Sequence, residues 1–330
     1  MKIGKLPAEQ LHALVLGRLG KRRDDVLLRP AVGEDSAVID FGDEVCVISS
    51  DPITGAGARL GELAVHVSCN DIAANGARPV GVQVVLLLPE SFPEVELAVL
   101  MEHIDKAAGD LGIEVLGGHT EITSKVREPL IVVTALGRAP RHGFISSSGA
   151  RPGDDLVISK GISIEGTAIL ASDFAALLRP LVGEEVIARS QEYWSQISVV
   201  PEGRIGAAHG VSAMHDVTEG GLYGALWEMA EASKAGLAVW RDRVPIREET
   251  ALICQHLGLD PLGLISSGTM LFATPRGEEL VDALAAEGIE GAIIGQVTDG
   301  PRVIHGRAGE ERILEGPGED ELWRFLKTTS

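Results

Sequence analysis

Three aspartates, Asp35, Asp51 and Asp71, and two polar clusters carrying glycine pairs are the residues of this chain whose types and spacing suit chemistry. The clusters are Gly117-Gly118-His119-Thr120-Glu121 and His215-Asp216-Val217-Thr218-Glu219-Gly220-Gly221. Convergent carboxylates are the hard oxygen ligands that Mg²⁺ takes while it keeps several waters and reaches for phosphate oxygens. A glycine pair beside polar side chains lets backbone N–H groups approach a phosphate closely. A metal-assisted nucleotide site is the chemistry such a set would serve.

Each acid also has an ordinary structural reading. Asp35 stands in a glycine-acid turn, Gly33-Glu34-Asp35-Ser36-Ala37, entering a β-run, and Asp51 ends the strand Val45-Cys46-Val47-Ile48-Ser49-Ser50. Acids at strand ends are commonly turn formers. Asp71 is different. Leu60, Ala64, Val67, Asp71 and Ala74 recur at intervals of three and four, so the acid falls on the apolar stripe of a helix. Burying an unpaired carboxylate costs several kcal/mol, so Asp71 must be paired, protonated or holding a metal. Gly76 stops this helix and Pro79 cannot continue it.

The elements that position these residues alternate between strands and helices. An amphipathic helix over 7–19 is expected to pack through Leu11, Leu14, Val15 and Leu19. The nearly unbroken apolar run 80–88 is long enough for a buried strand, and Pro89 ends it. A helix over 93–111 is capped by Gly112, and a short strand over 113–116 runs into the first glycine pair. Residues 137–153, rich in Gly, Ser, Pro and Arg, read as a connection between a first domain, 1–150, and a second, 151–330. In the second, Gly161-Ile162-Ser163-Ile164-Glu165-Gly166-Thr167 reads as a loop before a helix starting near Ala168, where Ser163 and Gly166 would favour an anion. A short strand over 211–214 enters the second cluster. There Asp216 or Thr218 is either a helix cap or part of a site with Glu219, Gly220 and Gly221.

Composition narrows the partners. A formal net charge of −19, with no basic run longer than Lys21-Arg22-Arg23, opposes binding to a nucleic acid backbone. Cys46, Cys69 and Cys254 are scattered and odd in number, which argues for reduced thiols. No stretch reaches the roughly 18 apolar residues of a membrane span, and a cytoplasmic location is expected.

The pattern Asp71-x-x-x-x-Gly76-Ala77-x-Pro79, preceded by Gly33-Glu34-Asp35-Ser36-Ala37, a strand ending in Asp51, and Asn70, resembles the superfamily of aminoimidazole ribonucleotide synthetase, selenophosphate synthetase, thiamine-monophosphate kinase and HypE. His215 to Gly221 resembles its second-domain signature, and Ile265 to Phe272 resembles a loop and strand of HypE-like proteins. The motifs run in family order over nearly the whole chain.

The resemblance implies a two-domain α+β, PurM-like fold: an N-terminal mixed-sheet domain that pairs into a homodimer, and a C-terminal α/β domain. It implies ATP and Mg²⁺ as cofactors, with Asp35, Asp51, Asp71 and Glu121 at the metal. Asn70, Asp71, Gly76, Gly117, Gly118, Thr120, Ser163, Gly166, Gly220 and Gly221 would lie at the nucleotide, and Asp216, Glu219 and His119 would serve catalysis. The family usually has an acid where this chain has His119, which leaves three readings: His119 binds, Glu121 supplies the carboxylate, or the site is weaker. No Cys-Lys pair stands near the N-terminus, against selenophosphate synthetase.

The wording is most like the HypE branch, which implies activation of a carbamoyl oxygen by phosphorylation and a carbamoyltransferase or metal-centre maturation partner. HypE acts on its own C-terminal cysteine, whereas the sequence given ends Leu326-Lys327-Thr328-Thr329-Ser330. The expected acceptor is therefore open between a free small molecule, another protein's cysteine and a tail that was lost. A thiamine-monophosphate-type kinase and a non-catalytic nucleotide-binding scaffold are the alternative readings.

Overall fold

The computed structural model describes residues 6–16, 18–53, 57, 59–306, 309–316 and 318–329. Two sheets organise them. The first holds β1 (Val26–Leu28), β2 (Ala37–Asp40), β3 (Glu44–Ile53), β4 (Arg78–Leu88), β5 (Glu114–Ile122) and β6 (Leu130–Pro140), in the spatial order β1-β2-β3-β6-β4-β5. The second holds β7 (Asp155–Ser159), β8 (Ala213–Val217), β9 (Gly236–Trp240), β10 (Thr269–Thr274), β11 (Gly291–Thr298), β12 (Arg302–His305) and β13 (Glu311–Ile313), ordered β13-β12-β9-β11-β7-β10-β8. Both sheets mix antiparallel pairs with one parallel pair, β4 with β5 and β12 with β9. This is a two-domain α+β architecture with mixed sheets, as the resemblance implies.

The helices are α1 (Ala8–Leu11), α2 (Leu60–Ala74), α3 (Glu94–Leu111), α4 (Ile164–Asp173), α5 (Ala175–Val182), α6 (Glu184–Gln191), α7 (Val200–His209), α8 (Gly221–Ser233), α9 (Glu248–Leu257), α10 (Gly277–Ala286) and α11 (Glu321–Thr329). The amphipathic stripe of α2 understates its place, because every residue in it except Glu62 is buried. A helix apolar all round belongs in an interior. One side of α2 covers the first sheet; the other meets α7 of the second domain, where Gly203 lies so close to the Ala73 carbonyl that a Cβ would stand 2.3 Å from its oxygen.

Two expectations need correction. Among the described residues the segment after Pro7 forms only the four-residue α1 and a π-turn over His12–Leu16; Ala8 packs against the core of the second domain, while Leu14, Val15 and Leu19 are exposed. The apolar run in β4 is buried on one face only: Val82, Val84, Leu86 and Leu88 point into the core, while Val80 is exposed and Val85 and Leu87 are half-buried. Alternation with period two is what a sheet covered by helices on one side requires.

Candidate functional site

A cavity of about 160 Å³ lies where the two domains and α11 meet, lined among others by Asp35, Asp51, Asp71, Glu165, Thr218, Glu219, Ser267 and Trp323. Asp35 comes from the turn before β2, Asp51 from within β3, which runs two residues past it, and Asp71 from the last turn of α2. Asp71 Oδ2 accepts the Ser49 hydroxyl at 2.5 Å. Its carboxyl is held well above the ordinary range, first by burial and then by the charges of Asp216, Asp51 and Asp35. Asp71 thus lies within electrostatic reach of Asp35 and Asp51 of its own domain and of Asp216 of the other.

Asp216 sits on β8, 1% exposed, and the whole of His215-Asp216-Val217 is strand rather than the turn after one. Its neighbour His215 ties the domains together. Nε2 lies 3.0 Å from Glu228 Oε2, while Nδ1 lies 3.0 Å from the Ser147 hydroxyl and 3.5 Å from Asp35 Oδ2. Burial alone would lower the imidazole, but the Glu228 hydrogen bond and the charges of Asp35, Glu228 and Asp216 outweigh it and push it up to about 9.

The donor set suits a hard cation. Asp51 Oδ2 is buried with no hydrogen-bond partner among the described residues, an orphan that a cation would satisfy. Among the described residues no three His, Cys, Asp or Glu side chains enclose a metal ion by themselves. Mg²⁺, which keeps waters and shares phosphate oxygens, asks for no such cage.

Other expected site residues stand elsewhere. Asn70 has both ends of its amide engaged at the domain junction: Nδ2 donates to the Ile197 carbonyl and Oδ1 accepts the Val199 N–H, each at 2.8 Å. It is a buried clamp between the domains. Gly76, at φ +69, ends α2 against Ala207 and Ile145. Ser163 is fully buried, its N–H given to the Ser266 hydroxyl at 2.6 Å and its own hydroxyl to the Pro261 carbonyl. Gly166 and Gly221 let their helices pack on residues 262–265, and the Gly220 N–H goes to Asp320 Oδ2 at 2.6 Å.

Gly117, Gly118, His119, Thr120 and Glu121 all lie within β5, the exposed edge strand of the first sheet. A Cβ on Gly118 would stand 1.8 Å from the Val84 carbonyl oxygen, so the neighbouring strand itself demands glycine there. His119 Nε2 is 3.6 Å from Glu121 Oε2. The register Asp51 to Val133, Val133 to Val84 and Val84 to Gly118 puts β5 three strands from Asp51. At the usual spacing that is roughly 14 Å, so this cluster and the aspartates are separate within one chain.

The sequence alone does not single out Glu165, Ser267, Asp320 or Trp323. α4 begins at Ile164, so Glu165 is in its first helical turn, not a loop, and it faces the cavity. Its Oε2 accepts the Ser267 N–H at 3.2 Å. Burial chiefly, with the charges of Asp320 and Glu219, pushes it up to about 7 against the Ser267 hydrogen bond. Asp320 anchors α11, its Oδ1 accepting the Leu322 N–H at 2.8 Å. The signal available for it was an acid ahead of Leu322, Trp323, Phe325 and Leu326, a cap before an apolar helix.

Family models describe residues 33–139 as the N-terminal domain and 151–306 as the C-terminal domain of AIR synthase related protein. Over 252 residues, 74% of this chain and 72% of the relative, it is 32% identical to the carbamoyl dehydratase HypE of Azotobacter vinelandii. The chain belongs to the AIR synthase related family. Two solved members share the fold: a hydrogenase maturation protein HypE in complex with ATP, 24% identical with TM-score 0.72 and 97% of both chains covered, and a HypE–HypF complex, 22% identical with TM-score 0.72, covering 87% of this chain and 94% of the other. Like them it is HypE-like in fold, and α11 lies beyond the stretch that the family models match. No helix among the described residues of this family member is long and apolar enough to cross a membrane.

Proposed function

We propose that this protein is an ATP-dependent enzyme that activates an amide or carbamoyl oxygen by phosphorylating it, as in the thiocarbamate dehydration of hydrogenase maturation. The observation that carries the reading is the single cavity lined by Asp35, Asp51 and Asp71, where burial first, and then the charges of Asp216, Asp51 and Asp35, hold the Asp71 carboxyl well above its ordinary range. Four carboxylates brought together at a cost in stability need a cation to offset them. Asp35, Asp51 and Asp71 would hold Mg²⁺ with the nucleotide phosphates, and the ion would offset charge on the transferring phosphoryl group. The solved HypE with ATP, sharing this fold, supports the nucleotide.

The chain's own residues then orient and stabilise. His215, fixed by Glu228, holds Asp35 in place and supplies a positive charge behind the aspartates. Glu219 lines the cleft, and Asp216, buried on β8, acts on Asp71 through its charge. Two copies pair through the exposed edge of β5, which would carry His119 and Glu121 of one copy to the nucleotide of the other. The exposed apolar side chains Leu116 and Ile122 on that strand support the pairing. A carbamoyl-delivering protein partner is supported by the HypE–HypF complex.

The test is calorimetric titration with ATP, with and without Mg²⁺, followed by a phosphate-release assay. Mg²⁺-dependent binding with slow release is the expected result. Absence of binding, or binding indifferent to Mg²⁺, would overturn the reading.

A further inference from the structure

Apart from α4, the second-domain side of the cleft is made from three separate segments of chain. Thr218 and Glu219 lie between β8 and α8, Ile265 and Ser267 lie in the loop before β10, and Leu322 and Trp323 stand in the first turn of α11. No one element carries two of these pairs, so their register has to be set by contacts between segments. A single carboxylate meets all three. Asp320, 1% exposed, accepts the Gly220 N–H through Oδ2 at 2.6 Å and the Leu322 N–H through Oδ1 at 2.8 Å, and the Ile265 N–H bonds to it as well.

A buried N–H without a partner costs more than a made bond returns, so the carboxylate decides where these three donors can sit. Burial first, and then the charge of Glu219, push the Asp320 carboxyl up to about 6 against the pull of the three N–H groups. It is therefore ionised at neutral pH and accepts on both oxygens. Gly220 and Gly221 both have positive φ, +87 and +59, so the stretch carrying Glu219 has the backbone freedom to change shape once the Gly220 bond is lost. α11 has other anchors: Phe325 meets Phe174 edge-on at 5.0 Å between ring centres, and Arg324 donates to the Gly258 carbonyl at 2.6 Å. Loss of the carboxylate thus changes where the first turn of α11 sits rather than whether the helix docks.

We propose that Asp320 is a positioning residue for the acceptor: its carboxylate sets Glu219, Ile265 and the first turn of α11 against one another, and so shapes the half of the cleft that receives the acceptor. The inference rests on the phosphorylation reading and adds to it the residue that orders the acceptor side. Asp35, Asp51 and Asp71, which face the nucleotide in that reading, come from the turn before β2, from β3 and from α2 of the first domain. Asp320 therefore acts on the acceptor and leaves MgATP to the other wall. It lies outside 33–139 and 151–306, the stretches that the family models match, so the device belongs to a part of this chain that they do not describe. Misplacing reacting groups by about 1 Å costs on the order of 10²-fold in rate, which is the scale on which such a residue acts.

Asp320→Asn keeps the size of the side chain, and its oxygen still accepts, but its NH₂ group meets a backbone N–H as a second donor. Phosphate release from MgATP is measured with and without S-ethyl thiocarbamate, an uncharged carbamoyl probe, in the wild-type protein and the variant. The expected result is a loss of about tenfold or more in kcat/KM for the probe. Affinity for a non-hydrolysable MgATP analogue should change by less than about threefold, because its site lies on the other domain. The emission of Trp323, taken as the difference between each protein and its Trp323→Phe counterpart, should shift to the red in Asp320→Asn as the first turn of α11 moves. A loss of stability alone lowers the thermal midpoint and leaves that emission in place below it. If Asp320→Asn does not fold, Asp320→Glu, which carries the charge one methylene further out, is measured with the same expectation. An unchanged kcat/KM, an equal loss of affinity for the analogue, or an unmoved Trp323 emission would each overturn the inference, as would a wild-type protein that binds the analogue and does not respond to the probe. Failure of the wild-type protein to bind the analogue is the separate result that overturns the function proposed above.

Discussion

His215 Nδ1 of the second domain lies 3.5 Å from Asp35 Oδ2 of the first, while Nε2 lies 3.0 Å from Glu228. The imidazole therefore joins α8 to the aspartate set across the domain junction, and its charge depends on both partners. Glu228→Gln should leave the fold recognisable but lower unfolding stability by roughly 1–3 kcal/mol, since one acid is removed from a buried pair. Denaturant titration at neutral pH measures it. No change would mean that the Glu228 contact contributes nothing to the junction.

Asp71→Asn should separate stability from function. Removing one of several mutually repelling, buried carboxylates should raise the thermal midpoint of the nucleotide-free protein, while the increment that MgATP adds disappears. Thermal shift with and without MgATP reads both quantities, and a retained increment would remove Asp71 from the nucleotide site.

Asp216→Ala should spare nucleotide binding and lower turnover by about a hundredfold or more, the scale of a lost positioned acid or base. Titration of MgATP beside a phosphate-release rate makes the comparison. Unchanged turnover would make His215-Asp216-Val217 a structural strand alone.

Asn70→Ala should cost about 2–4 kcal/mol, because it leaves the Ile197 carbonyl and the Val199 N–H buried and unpaired. Since the amide faces the junction rather than the cleft, MgATP affinity of the folded variant should change less than threefold. A large loss of affinity at unchanged stability would return Asn70 to the nucleotide.

The raised groups at the cleft and the domain junction give a pH dependence of one sign, which buried His66, lowered by its desolvation, opposes. Glu165, about 7 against an ordinary 4.5, and His215, about 9 against 6.5, are both raised on folding, as is Asp71. At these three groups the folded protein binds more protons than the unfolded chain. The contribution of Glu165 is complete below about 4.5 and lost as pH rises through about 7; that of His215 is complete below about 6.5 and lost through about 9. Stability of the nucleotide-free protein should therefore fall between these limits, by on the order of 1–3 kcal/mol for each group. Denaturant midpoints across the range test it, and added Mg²⁺ should flatten the slope above neutrality.

The aspartates and the HypE-like family were legible because they are local: a glycine-acid turn, an acid in a strand and an acid on a helical stripe are each written within a few residues. Partnerships were not. Asn70 stands beside Asp71 in sequence, yet successive helical residues point in different directions, so one meets the cleft and the other the loop around Val199. Gly118 looked like a phosphate-approach residue, and only the register of β5 on β4 shows the Val84 backbone filling that space. Glu165 read as part of a loop because a glycine sits beside it, until packing of residues 264–265 on Gly166 let α4 start early.

The sequence by itself determined the alternation of elements and the supply of carboxylates, since hydrophobic period and residue chemistry act over a few positions. The tertiary structure alone decided which acids face one another, that Glu165 joins the cleft and that His119 lies three strands from Asp51 within its own chain. Those relations depend on strand order and domain contact between residues far apart in the chain, and no local spacing encodes them.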